Sequence, residues 1–128
     1  MTATAGPTLG NGKICYIEIP ATAVDKSAEF YASVFGWHIR RRDDGSIAFD
    51  DTVNEVSGSF VLGRPPASKP GLTVHIMVAD AAETSDAIIK AGGEIEKPID
   101  RNASEPFALF RDPGGNILGI YEQRGLAQ

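Results

Sequence analysis

The segment GKICYIEIPATAVDKSAEFYASVFGW, residues 12–37, joins a strand pattern to a helix pattern. Apolar and polar residues alternate over 14–19, which predicts a strand with one face packed on a helix. Apolar residues then recur at helical spacing over 24–35, and Gly36 follows where a left-handed helix end favours glycine. We therefore predict a strand–helix unit whose elements pack through matching apolar surfaces.

The two sides of this first strand differ in chemistry. Cys15, Ile17 and Ile19 form the apolar side, where the Cys15 thiol is expected to be a small buried group. Tyr16 and Glu18 form the polar side, which is expected to face away from the helix.

The segment LTVHIMVADAAETSDAIIKAGGEI, residues 72–95, repeats the same plan. A strand over 73–78 places Thr73, His75 and Met77 on one side. Asp80, with Glu83 three residues later, then resembles a capping box that starts a helix. On this helix, Ile88 and Ile89 are expected on the buried side, before Gly92 and Gly93 end it.

The repeat has a constant offset, because Tyr16 and Thr73 are 57 residues apart, as are Gly36 and Gly93. Each strand–helix unit is followed by three strand-like pieces and a glycine-containing hairpin turn. These pieces are 37–42, 47–50 and 59–62 in the first half, and 94–97, 107–111 and 117–121 in the second.

We predict two βαβββ modules that together form one domain. The predicted boundaries are a flexible N-terminal tail over 1–12, module 1 over 13–62, a proline-rich linker over 63–71, module 2 over 72–122 and a C-terminal tail over 123–128.

Composition limits the classes of partner. The 128 residues carry a formal charge of −5 and scattered basic side chains, which argues against a nucleic-acid partner. No apolar run is long enough to span a membrane. A single cysteine excludes an internal disulfide, and the first residues lack the order of a secretory signal, so we expect a cytoplasmic location.

Three motifs, FYASVFGW, AAETSDAIIKAGGEI and FRDPGGNILGIYE, occur in an order and spacing that resemble the vicinal oxygen chelate superfamily, which includes glyoxalases and bleomycin-resistance proteins. The resemblance covers residues 14–122. It implies an α+β fold in which two βαβββ modules form a curved mixed sheet, a cup with helices outside and a ligand inside. It also implies a homodimer.

Metal-binding members of that superfamily draw ligands from the first and last strands of each module. The matching positions here are Tyr16 and Thr73 in the first strands, Phe60 or Leu62 in module 1, and Gly119 in module 2. None is a good ligand for a divalent cation. We therefore expect no metal and no other cofactor.

Glu18 and His75 occupy equivalent positions on the expected inner faces and form the candidate catalytic acid–base pair. The other candidate ligand-binding residues share inward parity or lie near the cup: Tyr16, Thr73, Phe60, Leu62, Met77, Ile117, Gly119, Tyr121 and Trp37. Because many of them are apolar, we expect a small, partly apolar organic ligand.

Three functions remain open. The first is a metal-independent glyoxalase-like protein that binds a small molecule and transforms it through Glu18 and His75. The second is a binding protein that sequesters an antibiotic without changing it. The third is a divalent-metal lyase, isomerase or dioxygenase with shifted ligands, since a two-residue shift keeps strand faces and would recruit Glu18 and His75.

Overall fold

The computed structural model describes residues 6–127 as two βαβββ modules. The elements of the first are β1 (Tyr16–Pro20), α1 (Val24–Phe35), β2 (His38–Arg41), β3 (Ile47–Asp50) and β4 (Ser57–Val61). Those of the second are β5 (His75–Val78), α2 (Ala81–Lys90), β6 (Glu94–Lys97), β7 (Phe107–Arg111) and β8 (Ile117–Glu122), followed by a 3-10 turn over Arg124–Ala127. The predicted N-terminal tail, 1–12, is described from Gly6 onward, and its first five residues lie outside the described part of the chain.

Each module forms a mixed four-stranded sheet. The first sheet has the order β1-β4-β3-β2 and the second the order β5-β8-β7-β6. In both sheets the first and last strands of the module pair in parallel, and the other pairs are antiparallel. The predicted α+β fold and its order of elements are confirmed.

Local signals explain both helices. Gly36 ends α1 with a φ of 76°, the left-handed conformation that glycine adopts without strain. The Asp80 side chain accepts a hydrogen bond from the Glu83 amide at 3.0 Å, which caps α2 as predicted. Neither helix of the described chain is long and apolar enough to cross a membrane.

The two modules share one apolar core on the helix side of the sheets. Tyr31 of α1 stacks on Trp37 with ring centroids 4.6 Å apart, and it also contacts Phe110 of the second sheet at 6.5 Å. Phe30 lies 5.9 Å from Phe110. Helix α1 therefore packs against both sheets. We call the opposite side of each sheet its open face.

Two residues expected in this core are exposed. Ile89 is 57% exposed, whereas its neighbour Ile88 is fully buried. Adjacent residues on a helix point in different directions, so the apolar stripe of α2 takes only one of them. Cys15 precedes β1 and is also exposed, so its predicted burial against a helix is wrong.

The constant offset of 57 residues does not persist through both modules. Five residues, 42–46, connect β2 to β3, whereas nine residues, 98–106, connect β6 to β7. Strand pairing places Ser59 beside Glu18 and Gly119 beside His75, so the last strands are equivalent at an offset of 60. Ser59, not Phe60 or Leu62, is therefore the module 1 counterpart of Gly119.

The turn between β7 and β8 contains two buried polar residues, Asp112 and Asn116. The Asp112 carboxylate accepts hydrogen bonds from the amides of Gly114 and Asn116, both at 2.9 Å. It also accepts one from the Tyr31 hydroxyl at 2.7 Å. Burial raises the pKa of Tyr31 well above its usual range, and the Asp112 charge raises it further, so Tyr31 keeps the proton that it donates.

Asn116 extends this network to two other segments. Its Nδ2 donates to the carbonyl oxygen of Pro20, at the end of β1, at 2.7 Å. Its Oδ1 accepts from the amide of Ala67, in the linker, at 2.8 Å. One turn of module 2 thus holds α1, β1 and the linker in fixed positions.

We predict that Tyr31→Phe lowers the free energy of unfolding by about 1–3 kcal/mol, because it removes a buried hydrogen bond to a carboxylate. Tyr121→Phe is the matched control, since no hydrogen bond of the Tyr121 hydroxyl occurs within residues 6–127. Urea denaturation of both variants measures the difference. Equal losses for the two variants would contradict a stabilising role of the Tyr31 hydroxyl.

Candidate functional site

The open face of the first sheet carries a polar network. Arg42 Nη2 donates to the Tyr16 hydroxyl at 2.8 Å. Arg40 forms two hydrogen bonds with Asp50, at 2.8 and 3.0 Å, and Ser57 Oγ donates to Asp50 at 2.7 Å. The expectation that the cup is lined by many apolar residues is therefore wrong for this half.

The environment of Tyr16 lowers its pKa from that of a free tyrosine. Hydrogen bonds from Ser59 and then Arg42 lower the pKa of the Tyr16 hydroxyl, and the positive charge of Arg42 adds to the effect. Strand β4 pairs in parallel with β1 and places Ser59 beside Glu18, on the same face as Tyr16. Tyr16 is 43% exposed, so this hydroxyl remains accessible to solvent.

Asp50 is held as a carboxylate in the same network. The Arg40 hydrogen bond lowers the pKa of Asp50, and the Ser57 hydroxyl contributes in the same direction. Asp50 lies in β3 opposite His38 of β2, so His38 faces the open side of the sheet as well.

Glu18 lies on the same open face, one step further along β1. Its carboxylate forms an ion pair with Arg64 Nη2 at 2.8 Å, and both side chains are about half exposed. An exposed ion pair of this kind contributes little free energy in water, so Glu18 can exchange Arg64 for another partner at little cost.

The open face of the second sheet is more apolar. The His75 imidazole packs edge-on against the Phe107 ring, with centroids 5.5 Å apart, and it lies over Gly119. Lys97 Nζ is 4.3 Å from the centre of the Phe107 ring, within the range of a cation–π interaction. Met77 follows on β5 and is 57% exposed.

Strand pairing places Ile117, Gly119 and Tyr121 on this same face, since Gly119 pairs with His75 and Tyr121 with Met77. These positions agree with the predicted parity. Their roles in ligand binding stay predictions.

Two candidate ligand-binding residues lie in the core instead. Phe60 is 6% exposed and stacks on Tyr31 with centroids 5.8 Å apart, because it lies on the helix side of β4. Trp37 stacks between Tyr31 and Phe49, at 4.6 and 4.5 Å. Placing these two rings in the cup was wrong.

Two further candidates lie outside the strands. Leu62 follows the end of β4 and Thr73 precedes β5, and both are exposed. The proposed acid–base pair is also separated: within residues 6–127, no hydrogen bond or ion pair joins Glu18 to His75. Glu18 pairs with Arg64 of the linker, whereas His75 packs against Phe107 of the second sheet.

Two cavities adjoin these faces. The first, of about 460 Å³, lies at the end of the first sheet, and we call it the end cavity. Its lining combines α1, the β2–β3 hairpin and β4: Val24, Asp25, Arg41, Arg42, Gly45, Ser46, Ile47, Ser59, Phe60, Val61 and Leu62. The second is a cleft of about 90 Å³ between the modules, where Glu18 and Ile117 meet Leu72 and Val74.

The residues at the positions that match the metal-binding positions of the vicinal oxygen chelate superfamily do not suit a divalent cation in this chain. The Tyr16 hydroxyl is bonded to a guanidinium, which repels a cation. Gly119 offers no donor, and the His75 ring fills the space above it. Among residues 6–127, no group of three or more histidine, cysteine or carboxylate side chains is arranged to hold a metal ion.

The model of the Glyoxalase/Bleomycin resistance protein/Dioxygenase superfamily matches residues 13–120. The chain belongs to this superfamily. A glyoxylase-like domain-containing protein of Didymella fabae is 30% identical over 124 residues, which cover 90% of this chain and 97% of the relative.

Solved structures of other proteins share the fold. A superfamily member from Sphaerobacter thermophilus DSM 20745 has a TM-score of 0.71 at 17% identity, covering 88% of this chain and 98% of its own. TnmS3, an antibiotic binding protein from Streptomyces sp. CB03234, has a TM-score of 0.69 at 17% identity, covering 90% of this chain and 98% of its own.

Sequence reasoning missed several residues of the open faces, notably Ser59, Arg42, Arg64, Lys97 and Phe107. Unequal hairpin lengths concealed Ser59, because the constant offset of 57 from Gly119 pointed to Leu62, beyond the end of β4. The run Arg40-Arg41-Arg42 did indicate a polar face, because alternation along a strand puts Arg40 and Arg42 on the same side.

We predict that Tyr16 ionises below the usual tyrosine pKa of about 10. Ultraviolet titration should show one tyrosine, the early component, that ionises at lower pH than the others. This component should be lost in Tyr16→Phe and retained in Tyr121→Phe. Arg42→Gln should move that component to higher pH, because it removes a donor and a positive charge. An early component that persists in Tyr16→Phe would show that Tyr16 is not its source.

Proposed function

We propose that this superfamily member binds a small, partly apolar organic molecule on its open faces. The observation that carries the proposal is the group of Met77, His75 and Phe107 on the second sheet, which combines accessible apolar surface with a polar ring. Ligand sites of this kind are mostly apolar with a few placed polar groups. The first open face supplies polar groups in the form of Tyr16 and Glu18.

Binding is proposed to be independent of a divalent metal. Arginines approach Tyr16 and Glu18, and Gly119, the last-strand position of the second module, offers no ligand atom. A cation at either place would meet positive charge or find no ligand atoms.

Acid–base catalysis by Glu18 and His75 is a further part of the proposal. Both side chains lie on open faces, and histidine exchanges protons near neutral pH. For the two groups to act on one molecule, the ligand must reach from one sheet to the other or lie between the sheets of two copies.

Sequestration without reaction is the second candidate, and the antibiotic-binding description of TnmS3 favours including antibiotics among the molecules tested.

A thermal-shift screen of small organic molecules and antibiotics, followed by calorimetric titration of the hits, tests the site. Met77→Ala should weaken binding about three- to tenfold, because it removes apolar contact area. Ile89→Ala is the matched control, since Ile89 is equally exposed at 57% but lies on α2, on the other side of the sheet. Equal effects of the two substitutions would contradict binding on the open face.

The same hits separate catalysis from sequestration. Product formation that is lost in His75→Gln and Glu18→Gln, while affinity is kept, would support acid–base chemistry. Binding without product in the native chain would support sequestration. Affinity that rises in proportion to added zinc or manganese would contradict metal-independent binding.

We further propose that the protein forms a homodimer. The end strands of the two sheets and the exposed Leu72, at 90% exposure, leave pairing edges and apolar surface that a second copy would cover. Sedimentation velocity should give a dimer that Leu72→Asp dissociates and that Leu126→Asp, at another exposed apolar residue, does not. A monomer in the native chain would refute the proposal.

A further inference from the structure

Arg42 differs from the other arginines in its partner. Among the described residues, each other arginine has a carboxylate within 4.0 Å, and these are Arg40, Arg41, Arg64, Arg101, Arg111 and Arg124. Arg42 instead donates to the neutral Tyr16 hydroxyl at 2.8 Å. A guanidinium has five N–H donors in a planar fork, so most of its binding capacity is unused.

The acidic residues nearest to Arg42 do not neutralise it fully. Asp44 is close enough for the Arg42 charge to help lower the pKa of Asp44, but its main partner is Ser46. Asp44 Oδ1 accepts from the Ser46 amide at 2.9 Å and from the Ser46 hydroxyl at 2.7 Å. Asp25, which also lines the end cavity, pairs with Arg41 at 3.1 Å.

Arg42 lies where a polar group and an apolar cavity meet. Arg42 and Ser59 both line the end cavity, and Arg42 donates a hydrogen bond to the Tyr16 hydroxyl. The remaining lining is largely apolar, with Val24, Ile47, Phe60, Val61 and Leu62. A volume of about 460 Å³ accommodates a small organic molecule.

We infer that Arg42, together with the Tyr16 hydroxyl and Ser59, forms a carboxylate-binding site whose ligand places a compact apolar group in the end cavity. This inference rests on the proposed function only in taking a small organic molecule as the ligand. A carboxylate matches the guanidinium fork through two parallel hydrogen bonds. Its single charge matches the single guanidinium that has no carboxylate partner.

The inferred ligand is opposite in charge to the ligands that the net charge of the chain would favour. A chain of net charge −5 would favour cationic ligands if its charge were evenly spread. Here the acidic groups of the first open face, Glu18 and Asp50, are paired with Arg64 and Arg40, so neither pairs with Arg42.

Benzoate tests the site, with benzamide as a neutral molecule of the same shape. In amide-resolved NMR titrations, benzoate should shift the Ser46 and Ser59 signals with a dissociation constant on the order of 1 mM, as expected for a ligand of this size. Benzamide should bind about tenfold more weakly, because it lacks the charge that strengthens the hydrogen bonds. Saturating benzoate should also raise the pKa of Tyr16, since a bound anion disfavours the phenolate.

Arg42→Gln should weaken benzoate binding about tenfold, because it removes the charge-assisted hydrogen bonds. Arg101→Gln is the control, since it makes the same change of charge in the loop before β7, next to Asp80. Ile89→Ala, on α2, should leave benzoate binding unchanged. If Met77→Ala has no effect on the screened ligands while Arg42→Gln weakens benzoate binding, the proposed open-face site fails and the carboxylate site stands.

Three results would overturn the inference. They are equal binding of benzoate and benzamide, equal weakening by Arg42→Gln and Arg101→Gln, and the absence of any Ser59 shift at benzoate concentrations far above millimolar.

Discussion

The hydrogen bond from the buried Tyr31 hydroxyl to Asp112 fixes how the two modules lie against each other. A buried carboxylate is tolerated only when its oxygens are fully bonded, and Asp112 meets this condition through its own turn and through a residue of α1. Asn116 adds the end of β1 and the linker to the same network. Because β1 also carries Tyr16 and Glu18, the position of the first open face depends on a turn in the other module.

The arrangement leaves the two open faces chemically different. The first holds charged and hydroxyl groups in a connected network, whereas the second holds an imidazole, a thioether and an aromatic ring. The two modules therefore share a backbone arrangement, but the side chains on their open faces differ in kind. A ligand in contact with both faces would meet a polar surface on one side and an apolar one on the other, which fixes its orientation.

Local patterns predicted the elements well, and long-range geometry explains the errors. The bounds of α1, β3, β6 and β7 agree with the sequence, because helical spacing, alternation and hairpin glycines are short-range signals. Phe60 was misplaced because the offset of 57 residues fails in β4, where Ser59 and not Phe60 pairs with Glu18. Trp37 was misplaced because it precedes β2 and stacks on Tyr31 and Phe49. The bond between Tyr31 and Asp112 spans 81 positions, and nothing in either local segment indicates it.

Gly119 constrains the evolutionary paths open to this chain. A side chain at that position would collide with the His75 imidazole, so introducing a metal ligand on β8 requires His75 to move or change first. The two positions are thus epistatic, because a single substitution at Gly119 passes through a strained intermediate. Substitutions elsewhere on the open faces do not meet this obstacle.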